Sequence, residues 1–324
     1  MAWGAANIGP KKAGDPRRPS LLCGMAMRGS APMQGHLKAF IATLFWGCSF
    51  IAMRHALDHA TPHAVVWMRN LVGAAFLYGL LRWRGDALLP ARADRWRVLV
   101  LGLIFGMHLW IQAVALGTTT TMRAGWIIAF VPVVVAVGGW LFQGRGLKAL
   151  GWLGIGIAST GVMVLTAVRP TELAAAAPGD LLMLASTVTW AAYTLLGRSP
   201  AQRSGALRTT AGALMVSAVL NLATGLGGPV WTAPPDAVAW TALLFLGLGA
   251  SGLALWLFTD AAAELGAERA SAFQYGQPFI TMLAAWAMLR EPLSNDLLVA
   301  GPLVLAGVWL VQRNGRTAPG AMRS

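Results

Sequence analysis

The sequence predicts an all-α integral membrane protein with ten transmembrane helices arranged as two inverted repeats of five helices. Apolar residues make up 56% of the 324 residues and charged residues 11%, and the mean hydropathy is +0.60. Soluble domains carry about 25% charged residues, so this composition indicates a membrane protein. Apolar runs of roughly 20 residues, the length that crosses a bilayer, follow one another with short interruptions. The layout of these runs occurs twice along the chain.

The repeat is clearest in two hairpins, at 124–165 and 270–311, which are related by a constant offset of 146 residues. Each hairpin is an apolar run with a proline, a short polar turn and a second apolar run rich in glycine. We therefore expect one structural unit that is used twice. The matched positions are Pro132 and Pro278, Arg123 and Arg269, Leu147 and Leu293, Gly161 and Gly307 and, at an offset of 144, Trp46 and Trp190.

The first 36 residues contain glycine, proline, alanine and basic residues without apolar periodicity, and we predict a disordered cytoplasmic tail there. Its apolar patch is too short for a signal peptide. Met25 and Met33 are alternative start sites, and a start at Met33 would place residues 1–32 outside the translated protein. The two cysteines, Cys23 and Cys48, do not form a disulfide framework, and both are expected to be free thiols.

The predicted spans give four segments: the tail 1–36, a first repeat 37–168, a second repeat 169–312 and a cytoplasmic tail 313–324. Each repeat holds five spans. The spans are expected at about 38–57, 64–81, 96–116, 122–142, 148–168, 180–197, 209–227, 237–259, 270–289 and 296–312.

The distribution of lysine and arginine predicts that both termini are cytoplasmic. With the N-terminus inside, the inner segments hold twenty Lys and Arg residues and the outer loops hold three. Positive residues favour the cytoplasmic side of short loops. Because each repeat has an odd number of spans, the second repeat enters the membrane in the opposite orientation. Inverted repeats are typical of secondary transporters, in which the substrate site lies near mid-membrane between the halves.

Several short sequence features stand together in the predicted spans and turns. They are Trp46-Gly47-Cys48-Ser49-Phe50, Arg69, Pro132 and Leu289-Arg290-Glu291-Pro292-Leu293 before Gly301 and Gly307. With the ten spans and the repeated hairpin, these features resemble the EamA-type branch of the drug/metabolite transporter superfamily. The resemblance covers about residues 38–312 and implies a ten-helix bacterial inner-membrane transporter. It implies export of amino acids, related metabolites or xenobiotics through a cavity lined by spans 1, 3, 4, 6, 8 and 9.

The sequence departs from this family pattern at two positions. The turn after span 4 commonly carries Gly-Glu, whereas here Gly144 precedes Arg145, and the glutamate is present only as Glu291 in the second copy. Many relatives have a glutamate before the proline of span 9, where this chain has Gln277. A glutamine does not titrate, so proton coupling through this position is not expected.

Polar residues inside membrane spans are costly and therefore indicate functional candidates. Arg69 in span 2 can bind a substrate carboxylate through a bidentate pair of hydrogen bonds. Alternatively, it can extend to the membrane surface or hold helices together. His108 and Gln112 stand four residues apart on one face of span 3. They line a cavity wall, with His108 able to titrate near neutral pH, or they hydrogen-bond between helices.

In span 9, Gln274, Tyr275 and Gln277 precede Pro278. A proline removes a backbone donor and frees a carbonyl about one turn earlier. Pro132 and Pro278 are therefore expected to bend their helices. The exposed backbone then faces a wet cavity, or the bend only improves packing.

Aromatic residues inside the spans form a second group of candidates for the cavity. Rings at this depth stack on flat or cationic substrates, or they pack the core. Rings that line the site would favour an aromatic or amphipathic organic substrate over a bare ion. The candidates are Trp46, Trp126, Trp190, Tyr193 and Trp256, with Ser49 beside Trp46.

Asp260 and Glu264 lie four residues apart at the inner end of span 8. They are a proton or cation site, or a solvated helix end near Arg269. A solvated pair of this kind contributes well under 1 kcal/mol.

Other classes of function are disfavoured by the sequence. Lysine and arginine lie in short turns and not on one solvated face, which argues against nucleic-acid binding. His55, His59 and His63 are spaced by four, but Pro62 ends any helix between the last two, so we expect no metal and no cofactor. Enzyme motifs and phosphate-binding loops are absent from the sequence, which argues against an enzyme. A channel or a receptor stays an alternative to a carrier, and the protein is expected to be a monomer or homodimer.

Overall fold

The computed structural model describes the backbone of residues 21–144, 146–166, 178–293 and 295–314, and side chains from Met33 to Arg313 within those ranges. All secondary structure in this part of the chain is helical, apart from one isolated bridge between Ala60 and Trp231. The helices are α1 Leu21–Leu57, α2 Pro62–Trp83, α3 Arg92–Ala115, α4 Thr121–Ile128, α5 Val131–Gln143, α6 Ala149–Thr166, α7 Pro178–Ser204, α8 Ala206–Thr224, α9 Ala237–Leu244, α10 Leu255–Leu265, α11 Ala267–Ser271, α12 Gln277–Ala284 and α13 Asn295–Asn314.

Non-standard helical turns join several of these helices into longer rods. A π-helix, Phe245–Ala254, connects α9 to α10, so that 237–265 forms one continuous helical rod. A 3₁₀-helix, Ala272–Gly276, connects α11 to α12, and a second π-helix, Ala285–Leu289, extends α12. Turns of these kinds leave backbone groups without their usual α-helical partners.

Local sequence accounts for the helix ends. Thr61 and Thr120 cap α2 and α4, and Asp236 accepts the Ala239 amide at 2.7 Å to cap α9. Asp236 lies before the first residue of its span, and the hydrogen bond from the Ala239 amide holds the pKa of this carboxyl below its usual range. The donated hydrogen bond therefore keeps the cap ionised.

The two predicted hairpin turns end their first helix in the same way. Gly144 follows α5 with φ 63°, and Arg290 follows the second π-helix with φ 54°. These positions differ by 146 residues, which is the offset of the sequence repeat. A left-handed residue commonly ends a helix, although it is usually glycine. The shared conformation of Gly and Arg shows that the turn geometry is common to both copies.

Seven helices of the described chain are long and apolar enough to cross a membrane by length and composition. The helix at Ala149–Leu165 is equally apolar but shorter. This is a multi-pass membrane protein. The seven are Met33–Leu57, Pro62–Trp83, Arg92–Ala115, Thr121–Gln143, Ala206–Thr224, Ala237–Leu265 and Asn295–Arg313.

Equivalent helices of the two copies pack against each other in antiparallel pairs. In α2 and α8, His63 contacts Thr224 and Asn70 contacts Ser217, so the residue numbers run in opposite directions. The first span of each hairpin behaves likewise, because Met122 lies beside Glu291 and α4 packs on α12. The third antiparallel pair is α6 with α13.

The contact between α6 and α13 is a seam of close backbone packing. A Cβ on Gly161 would lie 2.7 Å from the Val304 nitrogen and 2.9 Å from the Ala300 oxygen. A Cβ on Gly307 would meet the backbone of Ala158 and Gly154 in the same manner. The two sets of contacts are equivalent, because each residue of one set is separated by 146 positions from its counterpart in the other. The seam is therefore self-complementary under exchange of the two copies.

Other contacts between helices of the two copies also occur twice. The equivalent helices are α1 and α7, α3 and α10, and α5 and α12. The contact of α3 with α7 therefore corresponds to that of α10 with α1, and the contact of α5 with α7 corresponds to that of α12 with α1. Buried apolar residues from most of these helices form one continuous core, and a second, smaller cluster lies along α5, α6 and α13. The pairing brings α1 and α7, the first helices of the two copies, to the centre of the bundle.

Seven of the ten predicted spans coincide with helices that are long and apolar enough to cross a membrane, and the one at 148–168 lies on the shorter apolar helix. The predicted spans at 180–197 and 270–289 lie on helices outside this set. The prediction for the N-terminal tail is wrong. α1 begins at Leu21, so residues 21–36 of the predicted tail are helical. Alanine, methionine and leucine in this stretch have high helix propensity, which the search for membrane-length apolar runs does not detect. Residues 1–20 and 315–324 and Arg145 lie outside the described residues, as does the loop 167–177.

We predict that Gly161→Leu weakens the seam between α6 and α13. The new side chain overlaps the α13 backbone, which should lower the free energy of unfolding by about 1–3 kcal/mol. Thermal unfolding of the detergent-solubilised protein measures this effect. Gly156→Leu is the matched control, since a Cβ at Gly156 meets nothing within 4 Å. Equal melting temperatures for the two variants would contradict the close seam.

Candidate functional site

A cavity lies at the centre of the bundle, and the empty space between its lining residues, including the part open to solvent, is about 430 Å³. Helices from both copies contribute to its wall. The lining residues are Trp46, Ser49, Phe50, Arg69, Phe105, His108, Leu109, Gln112, Ile128, Trp190, Gln274 and Gln277.

The aromatic wall of the cavity consists of Trp46 and Trp190, whose rings meet edge to face with centroids 5.0 Å apart. The Trp46 indole N–H donates to the carbonyl of Ala250 at 3.0 Å, and Ala250 lies in the first π-helix. The Trp190 N–H donates to Gln274 Oε1 at 3.2 Å. Hydrogen bonds at both indoles therefore fix the two rings. The matched positions at offset 144 therefore contact each other in one wall of the cavity.

Arg69 brings a guanidinium to the cavity from α2. Its side chain is 3% exposed, and its Nε donates to Ser251 Oγ at 2.9 Å. Ser251 donates to Asn70 Oδ1 at 3.0 Å, and Asn70 Nδ2 donates to Ser217 Oγ at 2.7 Å. This chain of hydrogen bonds joins α2 to the π-helix and to α8, and it holds the arginine in place.

The two terminal nitrogens of Arg69 have no protein partner among the described residues. The Nε–Ser251 contact is its one hydrogen bond in this part of the chain, and no carboxylate there lies within 4.0 Å. A buried cation is normally paired, because removing it from water is costly. The guanidinium is therefore available to an anion that enters the cavity.

His108 lies beside the aromatic wall, with its ring centroid 5.2 Å from that of Trp190. Its Nδ1 lies 3.0 Å from the Ser186 carbonyl and 3.1 Å from Thr189 Oγ1. A carbonyl accepts only, so Nδ1 carries a proton and Nε2 is an acceptor when the ring is neutral. Gln112, one turn further along α3, also lines the cavity.

The cavity coincides with breaks in two equivalent spans. In the first hairpin, α4 ends at Ile128 and Pro132 lies in the first turn of α5. In the second hairpin, the 3₁₀-helix that ends at Gly276 interrupts the equivalent span, and Pro278 lies in the first turn of α12. Ile128 and Gln274, at the offset of 146, both line the cavity. Both prolines therefore stand at changes of helical geometry next to the cavity.

Gln277, at the start of α12, has an unsatisfied amide oxygen. The residue is 3% exposed, and its Oε1 is buried without a hydrogen-bond partner in the described chain. Leaving a buried acceptor unpaired costs about 1–3 kcal/mol. Gln277 lines the cavity, so a bound donor can satisfy this oxygen.

Comparison with known proteins identifies the family. The profile described as the EamA-like transporter family matches twice, at residues 33–167 and 177–313. The chain belongs to the EamA-like transporter family.

Individual relatives of this EamA-like transporter match along nearly their whole length. Uncharacterized transporter YvbV of Bacillus subtilis is 24% identical, and the alignment covers 88% of this chain and 93% of YvbV. Uncharacterized inner membrane transporter YedA of Escherichia coli K12 is 25% identical over 88% of this chain and 92% of YedA. An uncharacterized protein of Pseudomonas aeruginosa is 30% identical over 87% and 96%.

A solved crystal structure shares the fold of this EamA-like transporter. It superposes with a TM-score of 0.66 at 22% identity, and the match covers 89% of this chain and 98% of the other. A likeness at this identity concerns the fold alone.

Two predicted site residues, Trp126 in the first hairpin and Tyr275 in the second, do not line the cavity. The Trp126 ring lies against Gly301 and meets Phe279 at 5.4 Å between centroids. The Tyr275 hydroxyl donates to the Val308 carbonyl at 3.2 Å, on the side that faces α13. Both rings are used in helix packing.

Tyr193 and Trp256 also lie outside the lining. Tyr193 stacks behind Trp190 at 5.5 Å and 14°, so it supports the aromatic wall from the far side. Trp256 is half-buried, and the Arg84 guanidinium lies 5.2 Å from its ring centroid. Four apolar lining residues were not predicted, because an apolar side chain in a membrane span gives no sequence signal that separates a cavity wall from a core. These are Phe50, Phe105, Leu109 and Ile128.

The ion pairs of the described residues include a cluster on Arg123 and a cluster on Lys38, at opposite ends of the bundle, besides the pairs of Asp94 with Arg203 and Arg97. At the start of α4, Arg123 pairs with Asp180 of α7 at 2.5 Å and with Asp296 of α13 at 2.9 Å. At the other end, Lys38 of α1 pairs with Asp260 at 2.6 Å and Glu264 at 2.5 Å.

The second cluster corrects our interpretation of α10. Asp260 and Glu264 were expected beside Arg269, either as a free cation site or as a solvated helix end. They instead bind a lysine that is more than 200 residues away in the chain. Among the described residues, no group of three or more His, Cys, Asp or Glu can hold a metal ion.

We predict that Ser251→Ala destabilises the transporter. The change removes the acceptor of Arg69 Nε and the donor to Asn70 Oδ1, and leaves both atoms buried and unpaired. The free energy of unfolding should fall by about 1–3 kcal/mol, as measured by thermal unfolding in detergent. Thr160→Ala is the control, because that exposed hydroxyl bonds only to the carbonyl of Gly156 in its own helix. A Ser251 variant as stable as this control would disprove the network.

Proposed function

We propose that this protein is a secondary transporter that carries a small organic solute across the membrane by alternating access. Ten spans form two halves of opposite orientation, and the solute binds in the cavity between them. The cavity itself supports the proposal, because matched residues of both copies line it. Trp46 and Trp190 form one such pair, and Ile128 and Gln274 form another. A site on the axis between two halves is the arrangement that alternating access needs.

Antiparallel packing of equivalent helices supports the inversion of the two halves. Three such pairs, α2 with α8, α4 with α12 and α6 with α13, run in opposite directions. Two copies of one unit related in this way enter a bilayer with opposite orientations. The distribution of twenty Lys and Arg residues inside against three outside is consistent with this arrangement and puts both termini in the cytoplasm.

The lining of the cavity favours an organic solute over a bare inorganic ion. Two indole rings, a guanidinium and amide groups suit an amino acid, a related metabolite or a xenobiotic with an aromatic portion. We propose export from the cell, by resemblance to the family. We also propose a location in the bacterial inner membrane, because the Escherichia coli relative YedA is named as an inner membrane transporter.

The two ion-pair clusters give alternating access a physical form. Arg123 holds α4 to α7 and α13 at the outer end, and Lys38 holds α1 to α10 at the inner end. We propose that one cluster separates while the other stays closed, so that the cavity opens to one side at a time. The helix breaks at Pro132 and Pro278 provide the bending points next to the solute.

We predict saturable, solute-specific flux in proteoliposomes that contain the purified protein. Trp46→Ala should raise KM by about tenfold through loss of one wall of the site. Trp286→Ala, which removes an exposed ring remote from the cavity, is the matched control. Flux proportional to the driving force without saturation would indicate a channel. Absence of flux for a broad panel of solutes would favour a receptor or an enzyme.

We predict that the two hairpin turns lie on opposite sides of the membrane. Cysteines introduced as Gly146→Cys and Pro292→Cys, in a variant with Cys23 and Cys48 replaced by serine, are labelled with an impermeant maleimide. The first should react only in inside-out vesicles and the second only in right-side-out vesicles. Labelling of both from one side would contradict the inverted arrangement.

A further inference from the structure

The guanidinium of Arg69 gives the lining of the central cavity a positive charge that no negative group of the lining balances. The lining contains no Asp or Glu, and the described part of the chain offers this guanidinium no ion pair. The other polar lining groups are a serine, a histidine and three glutamine amides, which are not anionic. The cavity is thus electrically unbalanced when it is empty.

The imbalance matters most in the closed state of a transport cycle. When both ends are shut, little water is left to solvate the guanidinium, and an isolated buried charge costs several kcal/mol. A bound anion removes most of this cost by direct pairing with the two free terminal nitrogens of Arg69. A cation increases the cost, and a neutral or zwitterionic solute leaves the net charge at one.

We infer that this protein exchanges singly charged organic anions: a monocarboxylate pairs with Arg69, and the carrier crosses its closed state readily only when loaded. The inference rests on the proposed transport function and goes beyond it by assigning the charge of the solute and the mode of transport. Exchange of one anion for another keeps the carrier loaded in both directions. Net movement requires the empty carrier to close over an unpaired cation.

Gln277 refines the chemistry of this anion. Its Oε1 is the buried lining acceptor that lacks a partner, so it selects a solute with a hydroxyl or N–H donor away from the carboxylate. The edge-to-face rings of Trp46 and Trp190 provide an apolar aromatic wall that an aromatic portion of the solute can contact. An aromatic monocarboxylate with one hydroxyl donor meets all three requirements.

A set of five compounds with one ring separates charge from shape. 4-Hydroxyphenylacetate carries the anion and the donor, and phenylacetate lacks the donor. 4-Hydroxyphenylacetamide is neutral, tyramine is a cation and tyrosine is a zwitterion. Uptake of each radiolabelled compound is measured in proteoliposomes at pH 7.5, with the same unlabelled compound inside or with an empty lumen.

The expected result is saturable uptake of 4-hydroxyphenylacetate that is at least about tenfold faster into loaded than into empty vesicles. Phenylacetate should exchange with a higher KM, while the amide, tyramine and tyrosine should be poor solutes. Preferential transport of tyrosine or tyramine, or equal rates into loaded and empty vesicles, would overturn the anion-exchange inference and leave the transporter proposal standing. No flux for any compound, including a broad solute panel, would overturn both.

Variants of the two polar residues test the charge argument directly. Arg69→Gln keeps a donor for Ser251 but removes the charge. It should lose anion exchange by about tenfold or more and gain uptake of the neutral amide into empty vesicles. Arg69→Lys keeps the charge and should keep the preference for loaded vesicles. If Arg69→Gln still prefers the anion to the amide, the guanidinium does not select the solute.

Gln277→Glu places a carboxylate in the same cavity and should reduce anion exchange in favour of tyrosine or the amide. Gln202→Glu is the matched control, because Gln202 is exposed, its amide nitrogen donates to the Ala263 carbonyl, and it lies outside the cavity. Thermal unfolding of both proteins is measured in parallel, so that solute preference is compared only between folded proteins. An unchanged preference in Gln277→Glu would contradict the charge-balance mechanism.

Discussion

The constraint on which the rest of the structure depends is the need to satisfy polar groups where there is little water. In a bilayer an α-helix solves this for its own backbone, so any break in a helix at depth must be covered by protein or by a wet cavity. The described helices break in three places around the central cavity: between α4 and α5, in the first π-helix and in the 3₁₀-helix. At the π-helix, the Trp46 indole N–H donates to the backbone carbonyl of Ala250. The irregular backbone and the cavity thus require each other.

The sequence predicted the positions of the helices because membrane spans obey simple rules of length and apolar composition. It also predicted the hairpin equivalence, since prolines and glycines keep their spacing between copies. Leu21 as the start of α1 was missed because helix propensity and membrane crossing are different properties of a sequence.

The residues of the candidate site were harder to predict from the sequence than the helices. Trp46, Ser49, Arg69, His108, Gln112, Trp190, Gln274 and Gln277 were candidates because polar or aromatic residues at depth stand out, and these eight line the cavity. The partners of Arg69 and Lys38 lie about 180 to 220 residues away, and spacing along one helix says nothing about such contacts. Likewise, no rule of composition separates Trp126, which packs on Gly301, from Trp190, which faces the cavity.

The copies share a backbone plan but differ in chemistry at the centre. Ile128 is apolar where Gln274 binds an indole, and Gly144 is replaced by Arg290 in an unusual left-handed conformation. The carboxylate of Glu291 then accepts the amides of Thr121 and Met122 at 3.0 and 2.9 Å, which ties the turn of the second hairpin to the start of the first. Divergence of this kind lets one face of a symmetric cavity differ from the other.

The seam between α6 and α13 has an implication for ancestry. Each copy makes the same contacts with the other copy through equivalent residues, as the two subunits of an isologous dimer do. Two separate half-length polypeptides could meet through the same glycines without any linker. Gene fusion would then have frozen an existing homodimer, after which each half was free to acquire residues that the other lacks.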